Sequence, residues 1–352
     1  MRTHRTLLAS ALLGLAGLSF TPLPPAAASP ARFGAHGDDR ASATRVVWTQ
    51  YLEGQATAHI VSADPNGKRV RVLTNPADGV ADIHPHISPD GKMVTFERDY
   101  PDGRVDVMLV GSQGAGEHAV PLGCTDPCAQ DLTPSWAPDG RHLVFTRVIG
   151  PFTPLAASAA LYSAALDGSH LARISRTGID GQYEDYVATF APRGYMVFLR
   201  VASDETAAVF RLDHDGSEHQ LTPWDLHADL PSVSPARSGP TRDLVVFETP
   251  RDVGSVGSVG SVTTVPATCP TVDICVGMIV HVTSPTGGTV SSFNPAWSPD
   301  GRRIAFTRFD RPVSGPVHAD IWTMRSNGTD PSPVSLSPML ELDPAWGVAA
   351  RS

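Results

Sequence analysis

One motif recurs along the chain at intervals of about 50 residues, and this period restricts the chain to a repeat architecture. Its fullest copy is residues 82–96, Asp-Ile-His-Pro-His-Ile-Ser-Pro-Asp-Gly-Lys-Met-Val-Thr-Phe. Similar copies occupy residues 131–145 and 294–306, and two degraded copies occupy residues 185–198 and 229–247. Such a period indicates similar units that bury their apolar faces against one another, in place of one ordinary core.

Each repeat carries the signals for four short antiparallel strands. The Ser-Pro-Asp-Gly sequence at residues 88–91 suits a tight turn, because Pro presets φ, Asp bonds its own backbone and Gly closes the turn. Asp-Gly or Asn-Gly dipeptides supply a second hairpin turn in several units. They lie at residues 66–67, 167–168, 215–216 and 327–328. Small four-stranded antiparallel sheets repeated in this way are the blades of a β-propeller.

An aromatic residue in the second strand of each unit allows the blades to be counted. The six aromatics are Trp48, Phe96, Phe145, Phe198, Phe247 and Phe306. Residues 342–348 read as a first strand without a second, and residues 45–49 read as a second strand without a first. The sequence therefore predicts an all-β, six-bladed propeller over residues 44–352. Its ring is closed where the C-terminal inner strand pairs with the N-terminal strands, which removes an open edge.

Residues 295–306, Pro-Ala-Trp-Ser-Pro-Asp-Gly-Arg-Arg-Ile-Ala-Phe, resemble the WD40-like (PD40) repeat of the TolB family of periplasmic propellers. The resemblance covers residues 45–348 and implies a propeller of the cell envelope. The chain differs from TolB in having no room for the separate α/β domain that precedes the TolB propeller. The same repeat resembles the propellers of prolyl-oligopeptidase-type enzymes, but no G-x-S-x-G nucleophile motif is present.

The N-terminal residues have the pattern of an export signal. Two arginines precede an apolar run at residues 7–18, and small alanines follow at residues 26–28. We interpret residues 1–28 as a cleaved signal peptide and residues 29–43 as a flexible leader. This apolar run is too short to span a membrane as a retained helix, and no second apolar stretch is present in the sequence. The mature protein is therefore predicted to be a periplasmic or extracellular monomer.

The charge balance excludes one class of partner. The whole chain has a formal charge of −9, and removal of residues 1–28 takes away two arginines and no acidic residue, which leaves −11. Nucleic-acid binding requires a basic face, and none stands out in the sequence. We therefore expect a protein, a peptide or an envelope polymer as the partner, and no nucleic acid.

Acidic residues recur at the start of the first strand in four of the six units, where they are predicted to ring the mouth of the central channel. They are Asp82, Asp131, Asp185 and Glu341. Two interpretations are open. The carboxylates form a ligand funnel or a cation site, for example for calcium, with His84 and His86 nearby. Alternatively, each carboxylate accepts N–H bonds within its own loop. No cofactor or metal is predicted from these residues alone.

The four cysteines, Cys124, Cys128, Cys269 and Cys275, are predicted to form disulfides because the protein is exported. Four cysteines allow three connectivities, of which the two local pairs are the simplest. A site built from four thiolates is the alternative. All four cysteines are assigned to loops at the channel mouth. The second pair would lie late in a long connection after Phe247, which includes a low-complexity, flexible tract at residues 254–262.

These observations favour a non-catalytic module that binds through its loop-rich face and channel mouth. The chain has no nucleophile elbow, zinc signature or phosphate loop. The alternative is a carbohydrate-active lyase or hydrolase in which the channel carboxylates act with His84 or His86. A purely structural spacer is a third possibility. Propellers host both enzymes and binding proteins, so the fold alone does not choose between them.

Overall fold

The computed structural model describes residues 43–150, 158–175, 182–252, 258–283, 290–310 and 318–350. These residues form 24 strands, one 3-10 turn at Trp224–Leu226 and one short helix, α1, at Val272–Val276. The predicted signal peptide and all of the predicted leader except residue 43 lie outside the described residues. No helix among the described residues is long and apolar enough to cross a membrane.

Antiparallel pairing groups the strands by four, as the repeat predicts. Sheet I contains β1 (Thr44–Tyr51), β2 (Ala58–Ala63), β3 (Arg71–Val72) and β24 (Leu340–Val348). Sheet II contains β4 (Ala81–Ile87), β5 (Met93–Asp99), β6 (Val105–Gly111) and β7 (His118–Ala119). Sheet III contains β8 (Cys128–Trp136), β9 (His142–Ile149), β10 (Ser158–Ala165) and β11 (Ala172–Arg173).

The other three sheets follow the same order. Sheet IV contains β12 (Tyr183–Phe190), β13 (Met196–Ala202), β14 (Ala207–Leu212) and β15 (Glu218–Gln220). Sheet V contains β16 (Asp229–Val233), β17 (Leu244–Asp252), β18 (Ser258–Pro266) and β19 (Val280–His281). Sheet VI contains β20 (Val290–Trp297), β21 (Arg303–Asp310), β22 (His318–Arg325) and β23 (Ser332–Pro333). Single parallel pairs, Ala58 with Ala81 and Ala319 with Leu340, connect sheets VI, I and II into one mixed sheet of 12 strands.

The last strand of the chain pairs with the first. β24 runs antiparallel to β1, from the pair Thr44–Val348 to the pair Tyr51–Leu340. Just beyond the strands, the backbone N–H of Ala349 donates to the carbonyl of Ala43 at 2.9 Å. Sheet I is thus built from both ends of the described chain, as the complementary half-repeats indicate.

The core lies between neighbouring sheets. The six second-strand aromatics that mark the repeat are all buried. In one cluster, Trp48 and Val61 of sheet I pack against Ala305 and Ile321 of sheet VI. The middle strands are therefore covered on both faces, which explains why they read as nearly continuous apolar runs.

The prediction of one long connection from Phe247 to Cys275 is wrong. Residues 258–266 form β18, which pairs along its whole length with β17. The tract reads as low-complexity, but Gly260 within it has a packing role, since it lies against the ring of Phe293, where a side chain would clash. Residues 253–257 of the tract lie outside the described residues.

Both local disulfides form, and they lie at opposite ends of the sheets. The Cys124–Cys128 bond is in the β7–β8 connection, beside Gly150, whose N–H donates to the carbonyl of Pro127. The Cys269–Cys275 bond is in the β18–β19 connection, at the end where the β16–β17 connection also lies. The assignment of all four cysteines to one face is therefore corrected.

Candidate functional site

Each first strand contains a bulge at the same position. The strand register shifts there, and the residue at the bulge has a positive φ although it is not glycine, which is uncommon. The six residues are His84, Thr133, Val187, Leu230, Asn294 and Asp343. Proline follows in five of the six strands, where its missing N–H is tolerated because the ladder is interrupted. The His-Pro and Thr-Pro elements of the repeat therefore encode the bulge.

The bulges line one small cavity where the six first strands meet. β4, β8, β12, β16, β20 and β24 contact one another in this order, and β24 also contacts β4. The axial cavity has a volume of about 70 Å³ and is lined by all six bulge residues. His86, Thr189 and Ser232 add further polar groups. The axial cavity is therefore lined by polar and apolar groups together, with a different bulge residue from each sheet.

The two predicted histidines line this cavity, but the four predicted carboxylates do not. Three of the carboxylates form two-point ion pairs with arginines on the neighbouring strand: Asp82 with Arg98, Asp131 with Arg147 and Asp185 with Arg200. The oxygen–nitrogen distances in these pairs are 2.6–3.1 Å. Glu341 accepts a bond of 2.7 Å from the side-chain amide of Gln50. Each recurring acid thus links the first and second strands of its own sheet.

The strand register explains these ion pairs. Each acid lies directly opposite its partner in the antiparallel ladder, and each partner comes two residues after the second-strand aromatic. Burial raises the pKa of Asp82, Asp131 and Asp185, and the arginine beside each carboxylate opposes that rise. These acids are therefore held by cation partners and are poorly placed to exchange protons.

Other carboxylates, which the repeat does not single out, bond the bulges. The backbone N–H of Thr133 donates to Glu97 Oε2, and that of Asn294 donates to Glu248 Oε2, both at 2.7 Å. In each case, the acid belongs to one sheet and the bulge to the next. Glu97 and Glu248 both follow the second-strand aromatic directly, so their position in the repeat is the signal that could have identified them.

A charged cluster surrounds His84. Its Nδ1 lies 3.4 Å from Glu97 Oε2, and its Nε2 lies 3.9 Å from Asp343 Oδ2. Burial alone would lower the pKa of His84, but the carboxylates of Asp343 and Glu97 raise it to about 9. Burial and the charge of His84 lower the pKa of His86 to about 4. At neutral pH, the axial cavity therefore contains one charged and one neutral imidazole.

Two acids that have no arginine partner among the described residues lie opposite each other in sheet V. Asp229 and Glu248 are paired in the register of β16 and β17. Burial raises the pKa of Asp229 to about 6, and burial together with the charge of Asp229 raises the pKa of Glu248 to about 8. The two carboxyl groups titrate as a pair and share a proton near neutral pH.

One acceptor in the axial cavity has no partner among the described residues. The side-chain amide of Asn294 donates to Asp343 at 2.8 Å, while its Oδ1 is buried without a hydrogen bond. Over the same residues, the only cluster of three possible metal ligands is Cys124, Cys128 and Asp131, and its two sulfurs are joined in a disulfide. Asn294, at the wall of the axial cavity, thus keeps an acceptor without a partner, and the described lining residues form no metal cluster of this kind.

The raised pKa values predict a protein that is more stable in mild acid than in mild base. A raised folded-state pKa of His84, Asp229 or Glu248 means that the folded chain binds a proton more tightly than the unfolded chain. That stability is present below the unfolded pKa and is lost as the pH rises through the folded values of about 6, 8 and 9. We expect the urea concentration at the midpoint of unfolding to decrease as the pH is raised from 5 to 9.5. Glu248→Gln should flatten this fall, and an unchanged pH profile in that variant would contradict the assignment.

Comparison with known proteins supports the fold. No protein-family model and no curated protein matches the chain. Among solved structures, TolB from Acinetobacter baumannii aligns with a TM-score of 0.62 and 17% identity, over 86% of this chain and 66% of that one. A structure described as a TolB from Agrobacterium tumefaciens gives 0.57 and 16%, over 84% and 90%. Hydrazine synthase from Kuenenia stuttgartiensis gives 0.65 and 13%, over 88% and 47%.

These structural similarities define the class of fold. At sequence identities of 13–17%, they show the fold alone. The chain spans about two thirds of the A. baumannii TolB and less than half of the hydrazine synthase chain. The chain therefore has a TolB-like propeller fold, as its repeat predicts.

Proposed function

We propose that the chain is an exported, non-catalytic binding module, and that its 24 strands form a closed six-bladed propeller over residues 44–352. A protein, peptide or envelope polymer binds at the mouth of its axial channel. The two disulfides support export, since such bonds persist in oxidising compartments. The observation that carries the proposal is the axial cavity, to which all six first strands contribute polar or bulge residues.

The cavity is suited to the tip of a partner more than to a whole small substrate. Its volume of about 70 Å³ is far below the ~300–1,000 Å³ usual for small-molecule sites. Asn294 Oδ1 and the His84 cluster provide an acceptor and a charged group at its wall. A hydrogen-bond donor at the end of a partner's loop or chain would bond the Asn294 acceptor and the carboxylates of the His84 cluster. The cavity would not need to enclose the rest of the partner.

A carbohydrate-active lyase or hydrolase is the second candidate, and the Asp229–Glu248 pair favours it. Two acids whose pKa values are raised to about 6 and 8 can hold a proton near neutral pH, as a general acid must. Against this candidate, Asp82, Asp131 and Asp185 are all held by arginines. Release of unsaturated or reducing ends from envelope polysaccharide, lost in Glu248→Gln, would favour the enzyme.

Affinity capture from envelope extracts tests the binding proposal. Val187→Arg places a long charged side chain at the cavity wall, and Val72→Arg places the same change on the exposed outer strand β3. We expect the wild-type chain and Val72→Arg to retain the same partner and Val187→Arg to lose it. Equal thermal midpoints establish that both variants are folded. Equal capture by the two variants, or no capture by the wild-type chain, would sink the proposal.

A further inference from the structure

Sheet V differs from the other sheets at the end where its first and second strands are joined. Its β16–β17 connection spans residues 234–243, whereas the equivalent connection in sheet II spans only residues 88–92. Its β18–β19 connection spans residues 267–279 and includes α1 and the Cys269–Cys275 disulfide. Both lengthened connections flank one groove between sheets V and VI, which we call the arginine groove. Elaborated loops on a regular scaffold are common places for function.

The walls of this groove are fixed by two close backbone approaches. Gly301, in the first turn of sheet VI, has a φ of +67° and lies against Ala236. Gly328, in the second turn of sheet VI, has a φ of +81° and lies against the carbonyl of Val282. A side chain at either glycine would clash, so the two sheets are in direct contact at both places. The groove is therefore preformed, which lowers the entropy cost of binding.

The arginine groove is large and partly apolar. Its volume is about 1160 Å³, and it shares no lining residue with the axial cavity. Leu244, Met278 and Val280 contribute apolar surface. Of the eight exposed large hydrophobic side chains of the described chain, four lie between residues 274 and 280, beside or within this groove. Such a concentration of exposed apolar groups marks an interaction surface.

Arginines supply the charge of the groove. Four arginines line it, and among the described lining residues Asp300 is the one carboxylate; the arginines are Arg237, Arg302, Arg303 and Arg325. Among the described residues Arg237 has no ion-pair partner, and Arg302 reaches Asp300 only at 3.9 Å. Arg303 and Arg325 share a single acid, Asp330. In a chain with a formal charge of −9, this local positive excess is complementary to an anionic ligand.

We infer that the arginine groove binds an extended acidic peptide segment in which carboxylates alternate with aliphatic side chains. Guanidinium groups pair with carboxylates through two parallel hydrogen bonds, and the aliphatic residues of the peptide cover Leu244, Met278 and Val280. Successive side chains of an extended peptide point to opposite sides, which suits a groove that has three arginines on sheet VI and aliphatic side chains on sheet V. This site is separate from the axial cavity and does not depend on the proposed function.

The lining favours a peptide over other anions. Sugars and nucleic-acid bases are commonly held by stacking on aromatic rings, and the described residues that line the groove include no aromatic ring other than the imidazole of His281. Its apolar groups are aliphatic, and they suit valine, leucine or isoleucine side chains. The combination of arginines and aliphatic side chains therefore selects an acidic peptide.

Fluorescence anisotropy with labelled decapeptide pools tests the inference on the full chain. One pool has aspartate at every second position and random aliphatic residues between, and a matched pool has asparagine in place of aspartate. We expect saturable binding of the aspartate pool, weakened by salt, and at least tenfold weaker binding of the asparagine pool. Equal binding of the two pools, or no binding of the aspartate pool, would overturn the inference. Equal binding of a ten-nucleotide oligothymidine or of polygalacturonate would also overturn it.

Three variants locate the site. Arg237→Glu with Arg302→Glu removes no close ion pair, so the chain should fold normally and lose about tenfold or more in affinity, which corresponds to about 1.4 kcal/mol. Met278→Ser with Val280→Ser leaves the charge unchanged and should also weaken binding severalfold.

Arg141→Glu, which changes an exposed arginine in another turn, is the matched control and should bind as the wild-type chain does. Affinities unchanged in both groove variants would contradict the site, whereas Val187→Arg should have no effect.

Discussion

A chain that ends at residue 339 is expected to lose its cooperative unfolding transition and to aggregate. Among the described strands, β24 is the partner of β1 on that side, so its removal exposes a full strand edge. It also removes the buried side chains of Glu341, Leu342 and Ala345 from sheet I. Urea unfolding followed by tryptophan fluorescence measures the loss. A truncated chain with a normal, cooperative transition would contradict the role of β24.

A circular permutant supplies the control for this truncation. A short linker from residue 350 to residue 43, with new ends between β3 and β4, makes β24 and β1 a continuous hairpin. The hydrogen bond from Ala349 to Ala43 shows that these positions are already adjacent. The permutant should fold with a urea midpoint close to that of the wild-type chain. If the permutant failed to fold while the truncated chain unfolded cooperatively, the claim that β24 must pair with β1 would be contradicted.

Arg147→Met is expected to destabilise the protein by about 3–5 kcal/mol, the usual cost of leaving one member of a buried ion pair without its partner. Arg147 and Asp131 are both buried and joined by bonds of 2.7 and 2.8 Å. Arg147 also donates to the carbonyl of Leu122 at 2.9 Å, so it holds the connection that precedes β8. The measurement is the free energy of unfolding in urea at pH 7.

Two further variants separate the buried charge from the loss of packing. In Asp131→Leu with Arg147→Met, no charge remains buried, and most of the stability should return. Arg325→Met breaks an exposed ion pair with Asp330 and should leave the urea midpoint unchanged within error. If Arg147→Met lowered the free energy of unfolding no more than Arg325→Met does, the buried ion pair between Asp131 and Arg147 would not have the stabilising role described.

The fold could be predicted from the sequence because its signals are local and repeated. The turn dipeptides, the second-strand aromatics and the two half-repeats each indicate the same four-stranded unit. The prediction fails at sheet V, where Asp-Gly is absent from the first turn and a Gly-Ser-Val tract forms half of β18. There, pairing with β17 and the contact of Gly260 with Phe293 decide the structure, and neither can be read from local composition.

The candidate site could be predicted only in part. His84 and His86 line the axial cavity, whereas Asp82 and its equivalents lie opposite arginines in the strand ladder. These acids could be recognised in the sequence because they recur. They recur because each one bonds a residue on the neighbouring strand of its own sheet. Glu97, Glu248 and Asp343 become neighbours of the cavity through bulges and contacts between sheets. Such contacts depend on tertiary structure and leave little trace in a single repeat.

Site-specific photo-crosslinking measures the central claim, that a partner binds at the mouth of the axial channel, most directly. A photoreactive phenylalanine analogue at position 187 lies at the cavity wall, and the same residue at position 72 lies on the outer strand of sheet I. Irradiation of producing cells should give a discrete adduct from position 187 and none from position 72. Adducts of equal yield from both positions, or an adduct from position 72 alone, would contradict binding at the axial channel.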